Sequence, residues 1–487
     1  MKIIFSTVMF FAFAGNIFAD AQLTAWLTAY SGLYARTYTT TANRTAGISA
    51  TTWAKQSVPA YADISQVLYS ANWVYVRAAD LPSYVTGPWL NPQGAVGQFS
   101  PTNQHLINRF PRSPAVPSGT KTTSGAGYSG LYVNGIAIFN FTDGKAWDGT
   151  GAVNGPHTQS TYYWHRNAPV GEDYNFDYGL GHQNPTGVYH THQQPIALRY
   201  QLGDHVNFNS STKNYSESSS TNISHSPIAG WAYDGYPIYG PYGYSISNNA
   251  ASSVRRMISG YVQRDGMHGT DNLTNNLSVI PAWYARFRQA HFGGSYSTAA
   301  GTARPPVAGT NTLATYAEDF SHYGDLTNAA TGQLYLPGTN TFDLDVYNGR
   351  YCVTPEFPGG TYAYFLTIDA SGSSAYPYAI AYEYYGSATG GSVSSISETV
   401  TTNFTGGANS TLTLSSPTLT NSVVTLKWSA TEGGTYSVAT SGNLTIWTTN
   451  LTGIAAALNK GTTTTAKVST NQFFKVLRTA LANYDAN

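Results

Sequence analysis

The chain has 487 residues, with 24 Lys and Arg against 24 Asp and Glu, so that only 10% of residues are charged and the net charge is zero. That balance excludes the basic face that nucleic acids and anionic membranes demand. The single Cys352 excludes an internal disulfide, and a chain of this length buries enough apolar surface to fold without one, which leaves that thiol as a small core residue.

In chain order, Met1 and Lys2 precede the apolar run "IIFSTVMFFAFAG" and a small-x-small "ADA" at 19–21. This is the pattern of an export signal over 1–21, with a mature chain beginning near Gln22. No later stretch reaches the roughly 20 apolar residues of a membrane helix, so no membrane insertion is expected. From about residue 60, runs such as "QVLYSANWVYVRA" alternate with turn residues, and Gly, Ser, Thr, Tyr and Asn dominate. The pattern predicts an all-β chain of mainly antiparallel sheets and hairpins. "YVNGIAIFN" at 132–140 and "AYDGYPIYG" at 232–240 each read as a strand, an Asn-Gly or Asp-Gly turn, and a second strand. Asp234 is therefore expected to turn a hairpin more than to activate water. At 391–408 the polar, Gly/Ser/Thr-rich "GSVSSISETVTTNFTGGA" predicts a linker. It divides a large β-rich domain, 22–390, from a small β-sandwich, 409–487, whose alternating segments include "SVVTLKWSA" and "GTYSVATSG". The small domain has no histidine and is expected to be an accessory module, binding a polysaccharide or cell-surface component or acting as a spacer.

Seven of the eleven histidines fall within 157–225: His157, His165, His182, His190, His192, His205 and His225. "GVYHTHQQP" at 187–195 places His190 and His192 two positions apart, which in a strand puts both on one face, about 7 Å apart along the chain. Neutral imidazole is the commonest protein ligand for zinc and copper, whereas calcium wants oxygen. The first choice for a third ligand is His182, in the Gly-rich "GLGHQNPTG", and the second is His225. Asp204 or Asp234 can supply an oxygen, and Asp173 and Asp177 are further donors. Metal binding, with copper or zinc as the divalent ion, is the leading function. One alternative is a metal-dependent hydrolase or oxidoreductase with Glu356 or Asp234 as general base. The other is a carbohydrate- or surface-binding protein in which Trp89, Trp164 and Trp231 stack on sugars.

Several blocks in order, "GHQNPTGVYHTHQQP", "GWAYDGYPIYGPYG" and "LDVYNGRYCVTPEFPGGTYAYFLTIDASGSSAYPY", resemble the YHYH-domain proteins of exported bacterial origin over roughly residues 60–390. The chain departs from the naming motif at Thr191, which stands where the family has its second tyrosine. In "LDVYNG" it also lacks an acidic residue that often follows the aspartate, removing one candidate oxygen near Asp343 and Asp345. The resemblance implies an extracellular or periplasmic setting and no particular activity.

Overall fold

The structure, a computed structural model, describes residues 20–486 except 269–271, 339–340, 422, 457–459 and 466–471. The leader expected at 1–21 lies outside it apart from Asp20 and Ala21. The fold is all-β as expected, and among the described residues no helix exceeds the 11 residues of Ala282–Phe292. None is long and apolar enough to cross a membrane.

The sheet that carries the histidines has eight strands: β1 (Tyr128–Tyr132), β2 (Ala137–Phe139), β3 (His182–Gln183), β4 (Tyr189–Thr191), β5 (Ile228–Ala232), β6 (Pro237–Tyr239), β7 (Gly349–Cys352) and β8 (Thr361–Phe365). They lie in the order β7-β8-β6-β5-β1-β2-β4-β3. The two halves have one plan. Hairpins β1–β2 and β5–β6 turn at Asn134-Gly135 and Asp234-Gly235, β4 and β8 add in parallel to β2 and β6, and β3 and β7 close each edge antiparallel.

The correspondence extends to side chains. Asp177 Oδ1 accepts the N–H of Gly179 at 2.9 Å and of Gly181 at 3.2 Å, and Asp345 Oδ1 accepts those of Tyr347 and Gly349 at 2.9 and 3.2 Å. Each carboxylate also takes the hydroxyl of a tyrosine on the neighbouring strand, Tyr189 or Tyr362. The turn residues Leu180 and Asn348 share a left-handed backbone, with φ of 66° and 69°. The halves meet where β1 pairs with β5, Leu131 opposite Trp231. Glycine is required there at residue 130, where a Cβ would lie 2.3 Å from the Trp231 carbonyl oxygen.

A second sheet, of five strands, shares one core with the first, Val67, Val76 and Phe110 packing with Leu131, Ile138 and Trp231. Its outer strands fall within 391–408, the stretch expected to be a linker. Gly391–Ser392 pairs with Leu106–Pro111, and Thr401–Thr405 pairs with Ile64–Tyr69, so the two ends of the stretch contribute edge strands to a sheet. The sheet supplies these polar residues with backbone partners that the isolated segment lacks. Beyond it, two three-stranded antiparallel sheets close on a separate core of Val424, Leu426, Trp428, Tyr436 and Val438. This body touches the rest through Glu432, which pairs with Arg36 and accepts the Tyr34 N–H at 2.8 Å.

Three tryptophans that could have stacked on sugars are interior instead: Trp89, Trp164 and Trp231 are 5%, 0% and 1% exposed. An indole buried this far serves the core. Cys352 is buried, as expected.

Burial also leaves a titration signature at Asp63. Its Oδ1 accepts the Ser83 N–H at 2.9 Å, Oδ2 has no hydrogen-bond partner among the described residues, and burial pushes its pKa up to about 7. The folded chain therefore keeps this proton to about pH 7, while the unfolded chain releases it near pH 4. Stability falls as pH rises through that window. Asp63→Asn abolishes the titration, and Asn accepts the residue's φ of 63°. Urea unfolding from pH 4.5 to 7.5 should show the variant gaining on the parent by roughly 2–4 kcal/mol. A difference that stays constant across the window would mean that the folded chain carries Asp63 charged.

Candidate metal centre

The β3–β4 hairpin brings the histidines together. Asn184 Oδ1 accepts the N–H groups of Thr186 at 3.0 Å and Val188 at 3.1 Å, and Gly187 supplies a φ of +90° where a Cβ would meet Thr102 Oγ1 at 2.6 Å. The resulting register sets His190 directly opposite His182. Strand period then places His192 on the same face as His190. His182 thus arrives as the strand partner of His190. The rings rest on aromatic supports: Phe139 stacks on His190 with centroids 3.9 Å apart, and Phe176 packs on His182 at 4.6 Å.

Hydrogen bonds decide the tautomers. His190 Nδ1 faces the Val188 carbonyl at 3.1 Å, and His192 Nδ1 faces the Asn140 carbonyl at 2.5 Å. A carbonyl only accepts, so both rings carry their proton on Nδ1 and a lone pair on Nε2. Those two Nε2 atoms face each other at 3.1 Å. His182 Nδ1 meets the Asn175 side-chain amide at 3.2 Å, while its buried Nε2 has no hydrogen-bond partner among the described residues. One ligand atom from each of the three lies within 4.8 Å of the others. Burial, reinforced by the neighbouring imidazoles, drives the pKa values of His182 and His190 well below the usual histidine range, and burial pushes that of His192 down to about 4. All three are neutral at neutral pH, as metal ligands must be.

A carboxylate stands beside them that the residue pattern did not single out. Glu172 Oε2 lies 3.5 Å from His192 Nε2 and 3.7 Å from His182 Nε2. Burial, aided by the charge of Asp143, pushes the pKa of Glu172 up to about 8. Its only mark in the sequence is its place next to the candidate Asp173, because a one-turn helix, Ala168–Gly171, delivers it and no ligand spacing announces such a route. Above the group opens a cavity of about 610 Å³ lined by Glu172, Asn175 and the three histidines, with Phe139 and Gln183 among its other walls.

Other candidates go elsewhere. His225 lies apart from the other three: it packs on Tyr239 and Phe365 of β6 and β8 and on Tyr244, in the opposite half of the sheet, with Nδ1 on its neighbour's carbonyl, Ser226 O, at 2.8 Å. Asp204 pairs with Arg199 and Ser226. Asp177 supports the turn behind Tyr189, on the face away from the histidines, and Asp173 is exposed. Asp234 does turn its hairpin, yet it is also buried, accepting the Tyr364 hydroxyl at 2.6 Å and the Gly386 N–H at 2.9 Å. Glu356 accepts the Tyr239 hydroxyl at 2.8 Å. Neither lines the histidine cavity, so neither is placed as its base. His157 and His165 form another buried cluster, around Glu318 and Tyr382. Thr191 engages the Gln193 carbonyl and Tyr132, so the missing tyrosine leaves the three rings undisturbed.

No curated protein and no solved structure is detectably similar to this chain. The family model described as YHYH protein matches residues 108–375, just over half of the chain, including every strand of the eight-stranded sheet and all the residues of the histidine group. By that match, the chain belongs to the YHYH protein family.

Proposed function

We propose that this chain binds one divalent transition-metal ion, zinc or copper, through His182, His190 and His192. One observation carries the reading: two Nε2 lone pairs face each other at 3.1 Å with both Nδ1 protons committed to backbone carbonyls. Lone pairs so placed repel unless a cation lies between them, and burial disfavours the proton as that cation. Two nitrogens on one tetrahedral ion at bond lengths near 2.05 Å stand about 3.3 Å apart, which suits this spacing. His182, the most distant member, moves inward on loading, because ligands of one ion lie within about 4 Å of each other. The carbonyls behind His190 and His192 do the orienting work that metal-bound imidazoles need. The leader-like 1–21 supports secretion, to the cell exterior, the periplasm or the cell surface, where free copper and zinc are met.

The cavity of about 610 Å³ over the histidines favours a second reading, a metal-dependent hydrolase or oxidoreductase, since water or a substrate has room to reach the ion.

Calorimetric titration of the full chain with zinc and with copper checks the proposal. The parent is expected to take up one ion. His190→Ala and His192→Ala should weaken uptake by roughly a hundredfold or more, whereas His225→Ala should match the parent. Equal losses in His225→Ala, or no uptake by the parent, would end the proposal.

A further inference from the structure

Four ligand-type atoms converge at the centre, Nε2 of His182, His190 and His192 and Oε2 of Glu172, and the Nε2 of His182 carries its ring's proton because Nδ1 accepts from the Asn175 amide. The Glu172 carboxylate is half-buried, and no hydrogen bond reaches it among the described residues. Its distances of 3.5 and 3.7 Å to His192 and His182 Nε2 are close to the separation of about 3.3 Å between neighbouring ligands of a tetrahedral ion. A base acting through a bound water would stand one hydrogen bond farther out.

The chain around Glu172 adds an independent observation. The short segment after the one-turn helix supplies Glu172, then Asn175 against His182 Nδ1, then Phe176 against the His182 ring. It also separates two cavities. Glu172 and Asn175 line the one over the histidines, while Asp173 and Phe176 line a neighbouring cleft of about 730 Å³. Tyr174, which also lines the histidine cavity, is 44% exposed. Among the described residues no hydrogen bond ties the Glu172 carboxylate to a group outside the histidine cluster, although the charges of Asp143, Arg166 and Lys145 act on it.

We propose that Glu172 is the fourth ligand of the centre, so that the ion is held by three imidazoles and one carboxylate and, once bound, clamps segment 172–176 as the wall between the two cavities. This rests on the metal reading of the three histidines. A carboxylate ligand lowers the net charge of a divalent centre to +1, and it ties metal occupancy to the shape of the adjacent cleft.

The test uses the full chain, zinc ions alone, and four proteins: the parent, Glu172→Ala, Glu172→Gln and His190→Ala. Zinc affinity is read by calorimetry, and chymotryptic cleavage after Tyr174 is followed by mass spectrometry with and without zinc. The parent should bind zinc and become protected at Tyr174. Glu172→Ala should bind at least roughly tenfold more weakly and gain no protection, with an unchanged melting temperature in the absence of zinc, because no hydrogen bond is lost. Glu172→Gln should also bind more weakly than the parent, having lost the charge while keeping the shape. If Glu172→Ala binds within twofold of the parent and is still protected, while His190→Ala fails to bind, the fourth-ligand proposal is overturned and the three-histidine reading stands. If His190→Ala binds like the parent, both fall.

Discussion

Asp177→Ala and Asp345→Ala are each expected to destabilise the chain by roughly 3–5 kcal/mol, yet only the first should weaken metal uptake. The two carboxylates occupy equivalent places in the two halves of the sheet. Asp177 accepts from the N–H groups of Gly179, Gly181 and Gly87 and from the Tyr189 hydroxyl. Asp345 accepts from the N–H groups of Tyr347 and Gly349 and from the Tyr362 hydroxyl. Deleting either strands several buried donors, each costing about 1–3 kcal/mol. The functional consequences differ because the two turns lead into different strands. Gly181 leads directly into His182, whereas Gly349 leads into Arg350, which faces Ala363 where His182 faces His190. Urea unfolding beside zinc titration separates the effects. Similar losses of affinity in both variants would show that the turns act only through global stability.

Trp231→Ala is expected to cost roughly 3–5 kcal/mol, among the largest effects of any single truncation here. Trp231 is 1% exposed at the junction of the two halves, paired with Leu131 across β1 and β5 and within the core that joins both sheets. Neighbouring strands are held in a fixed register and cannot collapse into the space an indole leaves, so the cavity term is fully felt. Trp164→Ala, wholly buried in a separate core cluster, should behave alike. Denaturant unfolding measures both. A loss below about 1 kcal/mol at Trp231 would return it to the surface, and with it the sugar-stacking role that burial removes.

What could be known from the residues alone was local. The alternation of strand and turn residues determined an all-β chain, and the two-residue spacing of His190 and His192 put them on one face, because side-chain direction in a strand depends only on residue count. The Asn-Gly and Asp-Gly dipeptides marked two equivalent hairpins for the same reason: the positive φ angles of such turns are a property of the dipeptide. The rest of the duplication stayed hidden. "DYGLGHQ" and "DVYNGRY" share only Asp177, Gly181 and their counterparts Asp345 and Gly349, and their equivalence emerges from strand register and hydrogen bonds.

Tertiary structure alone decided which groups join the His190–His192 pair. His225 and His182 were both reasonable third ligands by residue type, but the sheet order assigns His225 to the far half and His182 to the adjoining strand. Glu172 enters through a single helical turn whose path no periodicity encodes. Burial was likewise beyond composition, since an aromatic side chain suits a core and a binding surface equally well and only the packing of the two sheets put Trp89 and Trp231 inside. Metal sites are legible in a sequence when neighbouring residues on one strand or helix make them. Here half of the proposed ligand set comes from separate segments, and their convergence is a property of the folded chain.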